Sequence, residues 1–486
     1  MEEMLAQLDA LPARAQAFVG GGWRGGIDAR TQDVLDPATG AIVGTVPAMG
    51  GADVDRAVEA AHAAFASWRR TPAKERSVLL RRWHDLIGEF LEPLARILTA
   101  EQGKPLQEAR NELRQSQAYL EFFSEESRRL YGETIPANTA DRRLLVQREP
   151  LGVVGVIAPW NFPAAMIARK AGAALAAGCT VVAKPAAETP LSALALALLA
   201  DAAGIPSGVF NVVTGRGGEI GGAFTAHPLV RKISFTGSTP TGKQLARESA
   251  DTLKHLSLEL GGSAPLIVFD DADLELAVRG AMASKFRNAG QTCVATNRIF
   301  VQRGVAEEFS RRLAEQAAAL RVGSGMTAGT EIGPLINAGA ADGVVRMLDV
   351  ARAQGARVLA GGERLTGAFV QPAVITDVSD DMDIVRSEIF GPIAPISIFD
   401  TTEEVIARAN ATVYGLSAYF YTNDYRRIIA VSEALEFGMV GVNESLTTTE
   451  VAPFGGVKDS GYGREGSHFG LEEYTQLKYV CIGGLR

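Results

Sequence analysis

Residues Val153–Lys184, VVGVIAPWNFPAAMIARKAGAALAAGCTVVAK, decide the fold. An apolar run rich in β-branched residues at Val153–Ile157, a proline-marked turn, a helical stretch over Met166–Ala177 and a second apolar run at Thr180–Lys184 read as strand, helix, strand. The alternation continues with strand-like Val209–Val213 and Lys232–Phe235 and helical Ser192–Ala203, Gly217–Ala226 and Gly242–Ala250. Repeated βαβ units of this kind imply a parallel sheet in an open α/β layer.

Working outward, Gly51–Arg69 and Lys74–Leu98 carry helical periodicity upstream, the first with Asp53 as its expected N-cap. A second alternating block begins near Leu266 and continues through strands at Arg298–Val301, Ala368–Ile375 and Ile393–Phe399. Two α/β domains meeting near Leu260–Ser263 is the economical division. Leu144–Arg148 and Gln476–Ile482 fit neither layer. Each would expose an unpaired strand edge in a monomer, and pairing with another subunit is the expected remedy.

The chain of 486 residues is too long for a single core, and its 47% apolar content suffices for two. Its 48 basic and 56 acidic residues give a net charge of −8, with no basic cluster to attract nucleic acid or anionic lipid. The acidic start MEEMLAQLDA and the lack of an eighteen-residue apolar run imply a cytoplasmic protein without a membrane span. Cys179, Cys293 and Cys481 are odd in number and widely spaced, which suits a reducing compartment. The five histidines form no ligand-spaced pair, so no metal site is expected.

Several positions could carry chemistry. Cys293 sits among Asn288, Gln291, Thr292 and Asn297; a lone cysteine is commonly a small buried hydrophobe, but an amide-rich loop can also cradle a thiolate. Asn161 in APWNFP could donate to an oxyanion or cap a turn. Lys184 ends an apolar strand at the sheet edge where open α/β folds bind ligands, a position that also suits a solvated lysine. Glu259 interrupts an apolar alternation before Gly261 and Gly262, consistent with a desolvated general base or a structural ion pair. GRGGEIGG at Gly215–Gly222 lacks the third glycine of a dinucleotide fingerprint, whereas FTGSTPTGK at Phe235–Lys243 is a strand–Gly–helix turn able to receive a pyrophosphate.

PWNFP, LSLELGGSAP, FRNAGQTC, EIFGP at Glu388–Pro392 and PFGGVKDSGYGREG at Pro453–Gly466 together resemble the NAD(P)-dependent aldehyde dehydrogenase family, in order and spacing, over nearly the whole chain. The resemblance implies a cofactor-binding domain of residues 1–130 and 150–260, a catalytic domain of 261–466, and a β oligomerisation arm of 131–149 and 467–486 in a homodimer or homotetramer. It implies Cys293 as nucleophile, Asn161 and the Cys293 backbone N–H as oxyanion donors, and Glu259 as the base that activates water for thioester hydrolysis. Lys170 and Glu465 match proton-relay positions. For NAD or NADP, the resemblance puts Lys184 and Glu388 on the ribose hydroxyls, Gly237 and Ser238 at the pyrophosphate, Phe390 at the nicotinamide end and Trp160 in the lining of the adjoining pocket. Ala187 stands where relatives have a glutamate that repels a 2′-phosphate; with Lys184 and Arg216 near, both cofactors are expected to bind.

Within the family the likeness is strongest to succinate-semialdehyde dehydrogenases and their 2-ketoglutarate- and glutarate-semialdehyde relatives, through WNFPAAMIARK, SKFRNAGQTC and the C-terminal KYVCIGG. The substrate implied is an aldehyde carrying a carboxylate, which Arg169 and Arg287 could both reach. Thr448 or Thr449 would replace the serine expected before PFGG, and Phe454 would line the aldehyde tunnel. Ala295 takes the place of a second, redox-active cysteine found in some relatives. A cysteine hydrolase would be the rival reading, but it needs a histidine base, and only His255 and His468 lie near any motif.

Overall fold

The protein is described by a computed structural model over residues 2–14 and 16–485. Its largest sheet has eight strands. At its centre lie five parallel strands in the spatial order His255–Glu259, Val230–Thr236, Val153–Ile157, Thr180–Lys184 and Phe210–Val212. Every residue of Val153–Ile157 and Thr180–Lys184 is buried, as a sheet covered by helices on both faces requires. Strand order reverses between Val153–Ile157 and Val230–Thr236, so a crevice opens beyond the carboxyl ends of these two strands.

The connecting helix runs over Pro163–Ala177, three residues longer at its start than the periodicity predicts. Proline is tolerated at the first helical position because its missing N–H would have no partner there. Gly178, at φ 96°, ends the helix in a left-handed cap. The next helix, Leu191–Ala202, has no cap from its own turn. Instead Glu101 accepts the Leu191 and Ser192 N–H groups at 2.7 and 2.8 Å.

Two upstream expectations are corrected. Gly50, not Asp53, is the N-cap of helix Gly51–Trp68; Asp53 lies inside the first turn and accepts the Gly50 and Ile27 N–H groups at 3.2 and 3.0 Å. The single helix expected over Lys74–Leu98 is two, Ala73–Glu89 and Leu91–Gln102. Pro93 explains the break: it cannot donate to the Glu89 carbonyl and its ring would clash with it.

The second sheet has seven strands, in the order Arg357–Ala360, Ala373–Thr376, Ile393–Phe399, Thr296–Gln302, Ala264–Val268, Ser417–Tyr421 and Met439–Val442, parallel except at the first pair. The chain then returns, and Gly461–Tyr462 pairs antiparallel with His255–Glu259 of the first sheet. The two strands expected to lack partners within one chain in fact pair with each other. Thr475–Ile482 runs antiparallel to Arg143–Pro150 from Thr475↔Pro150 to Ile482↔Arg143, with Glu133–Ile135 on the other side. No helix among the described residues is long and apolar enough to cross a membrane.

Candidate active site

The fold gathers chemistry where the two sheets face each other. Asn161 lies in the turn that follows strand Val153–Ile157, and Cys293 lies just before strand Thr296–Gln302 of the second sheet. Asn161 Nδ2 crosses the gap and donates to the Gln291 carbonyl at 2.9 Å. An amide nitrogen carries two hydrogens, so one remains for a ligand beside Cys293. The Cys293 backbone N–H has no acceptor among the described residues.

The loop before Cys293 is held under strain. Asn288 and Ala289 both adopt left-handed backbone, at φ 51° and 53°, costing on the order of 1 kcal/mol each. The polar residues around the cysteine serve this loop rather than the thiol. Gln291 Oε1 accepts the Ile336 N–H at 2.9 Å, and Asn297 accepts the Ile389 N–H at 2.9 Å while donating to the Ser387 carbonyl. The expected thiolate cradle is therefore a backbone scaffold. Gly262 must be glycine, since a Cβ there would lie 2.3 Å from the Cys293 carbonyl oxygen.

Cys293 opens onto a cavity whose walls include Gln115, Tyr119, Phe162, Met166, Arg169, Arg287, Thr292, Thr448 and Phe454. No histidine lines it. Burial pushes the Cys293 thiol up to about 12, with the negative field of Glu388 and Glu259 adding and Arg169 and Arg287 opposing, so the resting group is a neutral thiol. Arg169 and Arg287 both border the cavity but differ in partners. Arg169 pairs with Glu465 at 2.6 Å and stacks 4.3 Å from the Phe454 ring centroid. Arg287 forms no ion pair with any described carboxylate, and its buried Nε has no hydrogen-bond partner. Of the two threonines singled out, Thr448 lines the cavity, whereas Thr449 turns away and donates to Glu450 at 3.2 Å.

Glu259 ends its strand, buried, with both carboxylate oxygens unpartnered. Burial and the neighbouring Glu465 push its carboxyl well above the ordinary range, against the pull of Arg169 and Lys170. Glu465 behaves oppositely: burial disfavours its charge, but Arg169 and Lys170 hold it below the usual value. Lys170 bonds both Glu465 and Thr236 Oγ1, the latter at 2.6 Å. Two carboxyls driven apart in this way can play different parts, one releasing and accepting protons and the other remaining charged.

A separate group of the singled-out residues lies at the reversal of strand order. Helix Thr239–Ser249 starts after Gly237 with Ser238 as N-cap, and helix Gly217–Ala226 starts after Arg216; neither has a side-chain cap on its first N–H groups. Lys184 is buried at its strand end and pushed down to about 8 by burial, with Glu188 opposing. Glu388 accepts the Gly262 N–H at 3.1 Å and is raised by burial to about 7. The Trp160 and Phe390 rings meet edge to face, 5.5 Å apart at 87°. Ala187 contributes its carbonyl, which accepts from Gln32 Nε2 at 3.2 Å.

The aldehyde dehydrogenase family model matches residues 23–480. The chain belongs to that family. It is 54% identical over 484 residues to a 3-sulfolactaldehyde dehydrogenase of Pseudomonas putida, covering 99% of this chain and all of that protein. It is 53% identical to a glutarate-semialdehyde dehydrogenase of Pseudomonas putida, covering 98% and 99%. Among solved structures, a succinate-semialdehyde dehydrogenase from Burkholderia pseudomallei superposes with a TM-score of 0.96 at 52% identity, covering 98% of each chain.

As an aldehyde dehydrogenase, the protein is an NAD(P)-dependent oxidoreductase, and the cleft fits that cofactor. Two uncapped helix N-termini suit a pyrophosphate, and buried Lys184 and part-buried Glu388 would supply a donor and an acceptor for ribose. Several residues of this aldehyde dehydrogenase site escape a motif reading. Glu108, Glu112, Gln115 and Tyr119 project from one side of helix Leu106–Glu126, and a polar stripe at three- and four-residue spacing is the signal that could have exposed them. Glu188 is the other, one residue beyond the position compared above.

Proposed function

We propose that this aldehyde dehydrogenase oxidises a short aldehyde bearing a second, anionic end, with succinate semialdehyde first and glutarate or 2-ketoglutarate semialdehyde as the alternatives. The observation that carries the reading is Arg287, a cation at the cavity wall that makes no ion pair among the described residues and whose buried Nε has no partner, in a cavity that Tyr119 and Thr448 also line. Arg169 supports the wall through Phe454, its charge being committed to Glu465. The clamp is thus one arginine and hydroxyls rather than two arginines.

In the proposed sequence, the Cys293 thiol passes its proton to solvent as its sulfur adds to the aldehyde carbon and the carbonyl π bond breaks toward oxygen. The oxygen becomes an oxyanion received by Asn161 Nδ2 and the Cys293 N–H. The carbon then loses its hydride, for which NAD(P)+ would be the acceptor when bound, and Cys293 is left holding the acyl group as a thioester. Glu259 then removes a proton from water, whose oxygen displaces the sulfur and yields the acid. Glu465 and Lys170 hold the charge around Glu259 while that proton moves.

Arg287→Ala tests the substrate. A charged, forked contact is worth about 1.5–3 kcal/mol, so kcat/KM for succinic and glutaric semialdehydes is expected to fall about ten- to a hundredfold. Butanal should change little, and 3-sulfolactaldehyde tests whether a sulfonate is accepted in the same place. Equal losses on butanal and the semialdehydes would remove the clamp.

For the cofactor, Lys184 with exposed Arg216 supports NADP, while Glu188 opposes a 2′-phosphate. Because burial lowers the Lys184 pKa to about 8, its charge is present below that value and fades above it. NADP affinity, read by fluorescence titration at pH 7 and 9.5, should weaken at the higher pH more than NAD affinity does. A constant ratio would take Lys184 off the phosphate.

A homodimer or homotetramer is supported by Leu477 and Tyr479, which are exposed on the three-stranded sheet. Residence in the cytoplasm is supported by three free thiols.

A further inference from the structure

Lys104 and Glu112 take no part in the steps above, yet both are buried beneath the loop that carries Asn161. Lys104 Nζ donates to Glu112 Oε2 at 2.6 Å and to the Asn161 carbonyl oxygen at 2.7 Å, with the Phe162 ring centroid 3.9 Å away. Glu112 Oε1 accepts the Ala164 and Ala165 N–H groups at 2.9 and 3.1 Å, in the first turn of helix Pro163–Ala177. A carboxylate is favoured there by the helix dipole.

The Asn161 carbonyl accepts a second bond, from Asn288 Nδ2 at 3.0 Å. Asn288 is itself oriented from behind: Gln102 donates to its Oδ1 at 3.1 Å, and Glu108 accepts its backbone N–H at 2.8 Å. One peptide oxygen is therefore gripped by a lysine from the first half of the chain and an amide from the nucleophile loop. A buried ion pair is a poor source of stability, since apolar side chains of similar volume commonly serve as well. What an apolar pair could not supply is a directed donor onto this carbonyl.

We propose that Lys104, held by Glu112 and assisted by Asn288, is a positioning residue that sets the Asn161 peptide so that its side-chain amide meets the oxyanion at Cys293. The proposal rests on the reading of Asn161 as oxyanion donor. Lys104 is buried and does not line the cavity at Cys293; it acts through the angle at which the Asn161 side chain leaves the main chain. A displacement of about 1 Å in such a group can cost on the order of 10²-fold in rate.

The test is a double-mutant cycle on the full-length enzyme, read by the pre-steady-state burst of reduced nicotinamide and by cofactor affinity. Lys104→Met keeps the stem and removes the donor; Lys104→Met/Glu112→Gln leaves the cluster neutral and serves if the single variant does not fold. Either is expected to slow the burst about ten- to a hundredfold with cofactor affinity unchanged. In an Asn161→Ala background the same change should add less than about threefold, because the group being positioned is gone. A full multiplicative loss in that background, or an equal loss of cofactor affinity, overturns the positioning role while leaving the oxyanion reading intact. If Asn161→Ala alone leaves the burst unchanged, the oxyanion reading itself falls, and the proposal with it.

Discussion

Cys293→Ala is expected to abolish aldehyde oxidation, lowering kcat/KM by on the order of 10⁴-fold or more. No neighbouring group can substitute: Cys179 is buried just past the C-terminal end of helix Pro163–Ala177, its sulfur bonded to the Tyr474 carbonyl, and Cys481 lies on the exposed strand Thr475–Ile482. Without the sulfur no thiohemiacetal forms, and direct hydride loss from a hydrated aldehyde would have to proceed without covalent activation. The assay is reduced-nicotinamide absorbance, with cofactor affinity measured alongside to show that the cleft is intact. Mass spectrometry should find an acyl adduct on the wild type and none on the variant. Oxidation persisting at near wild-type rate would end the covalent mechanism.

Glu259→Gln should give a different signature. General-base removal costs about 10²–10⁴-fold, but only in the step it serves, so steady turnover should collapse while one equivalent of reduced cofactor still appears in the first turnover. The pH profile gives the sign. Burial and Glu465 raise the Glu259 carboxyl, so at low pH it is protonated and cannot accept a proton from water; turnover should climb as pH rises through a value above the ordinary carboxylate range. The glutamine variant should lack that ascending limb. Loss of the burst as well would mean that Glu259 also receives the thiol proton.

Much of this site was legible from residue order. Asn161, Lys184, Glu259 and Gly237 lie at or just beyond the carboxyl ends of parallel strands, and a strand-turn-helix pattern announces those ends. Relations between distant segments were not legible. Arg169 looks like a substrate ligand until Glu465, from the far end of the chain, is seen to occupy it. Thr448 and Thr449 cannot be told apart until the loop is folded and one side chain turns to Glu450. The stripe on helix Leu106–Glu126 hides because buried polar groups and core residues share its periodicity. The strands at Arg143–Pro150 and Thr475–Ile482 looked incomplete for a similar reason: each is the other's partner, across more than 300 residues of chain.

Gly461–Tyr462 crosses back to the first sheet, and this bears on how the protein can be divided. A fragment ending at Leu260 would leave His255–Glu259 as a raw edge, strip Lys170 and Arg169 of their counter-charge, and lose Ser460, whose carbonyl accepts the Leu260 N–H. The two halves are therefore not separable modules that could be excised or exchanged at their junction. Any chimera would have to carry the last turns of the chain with the first sheet.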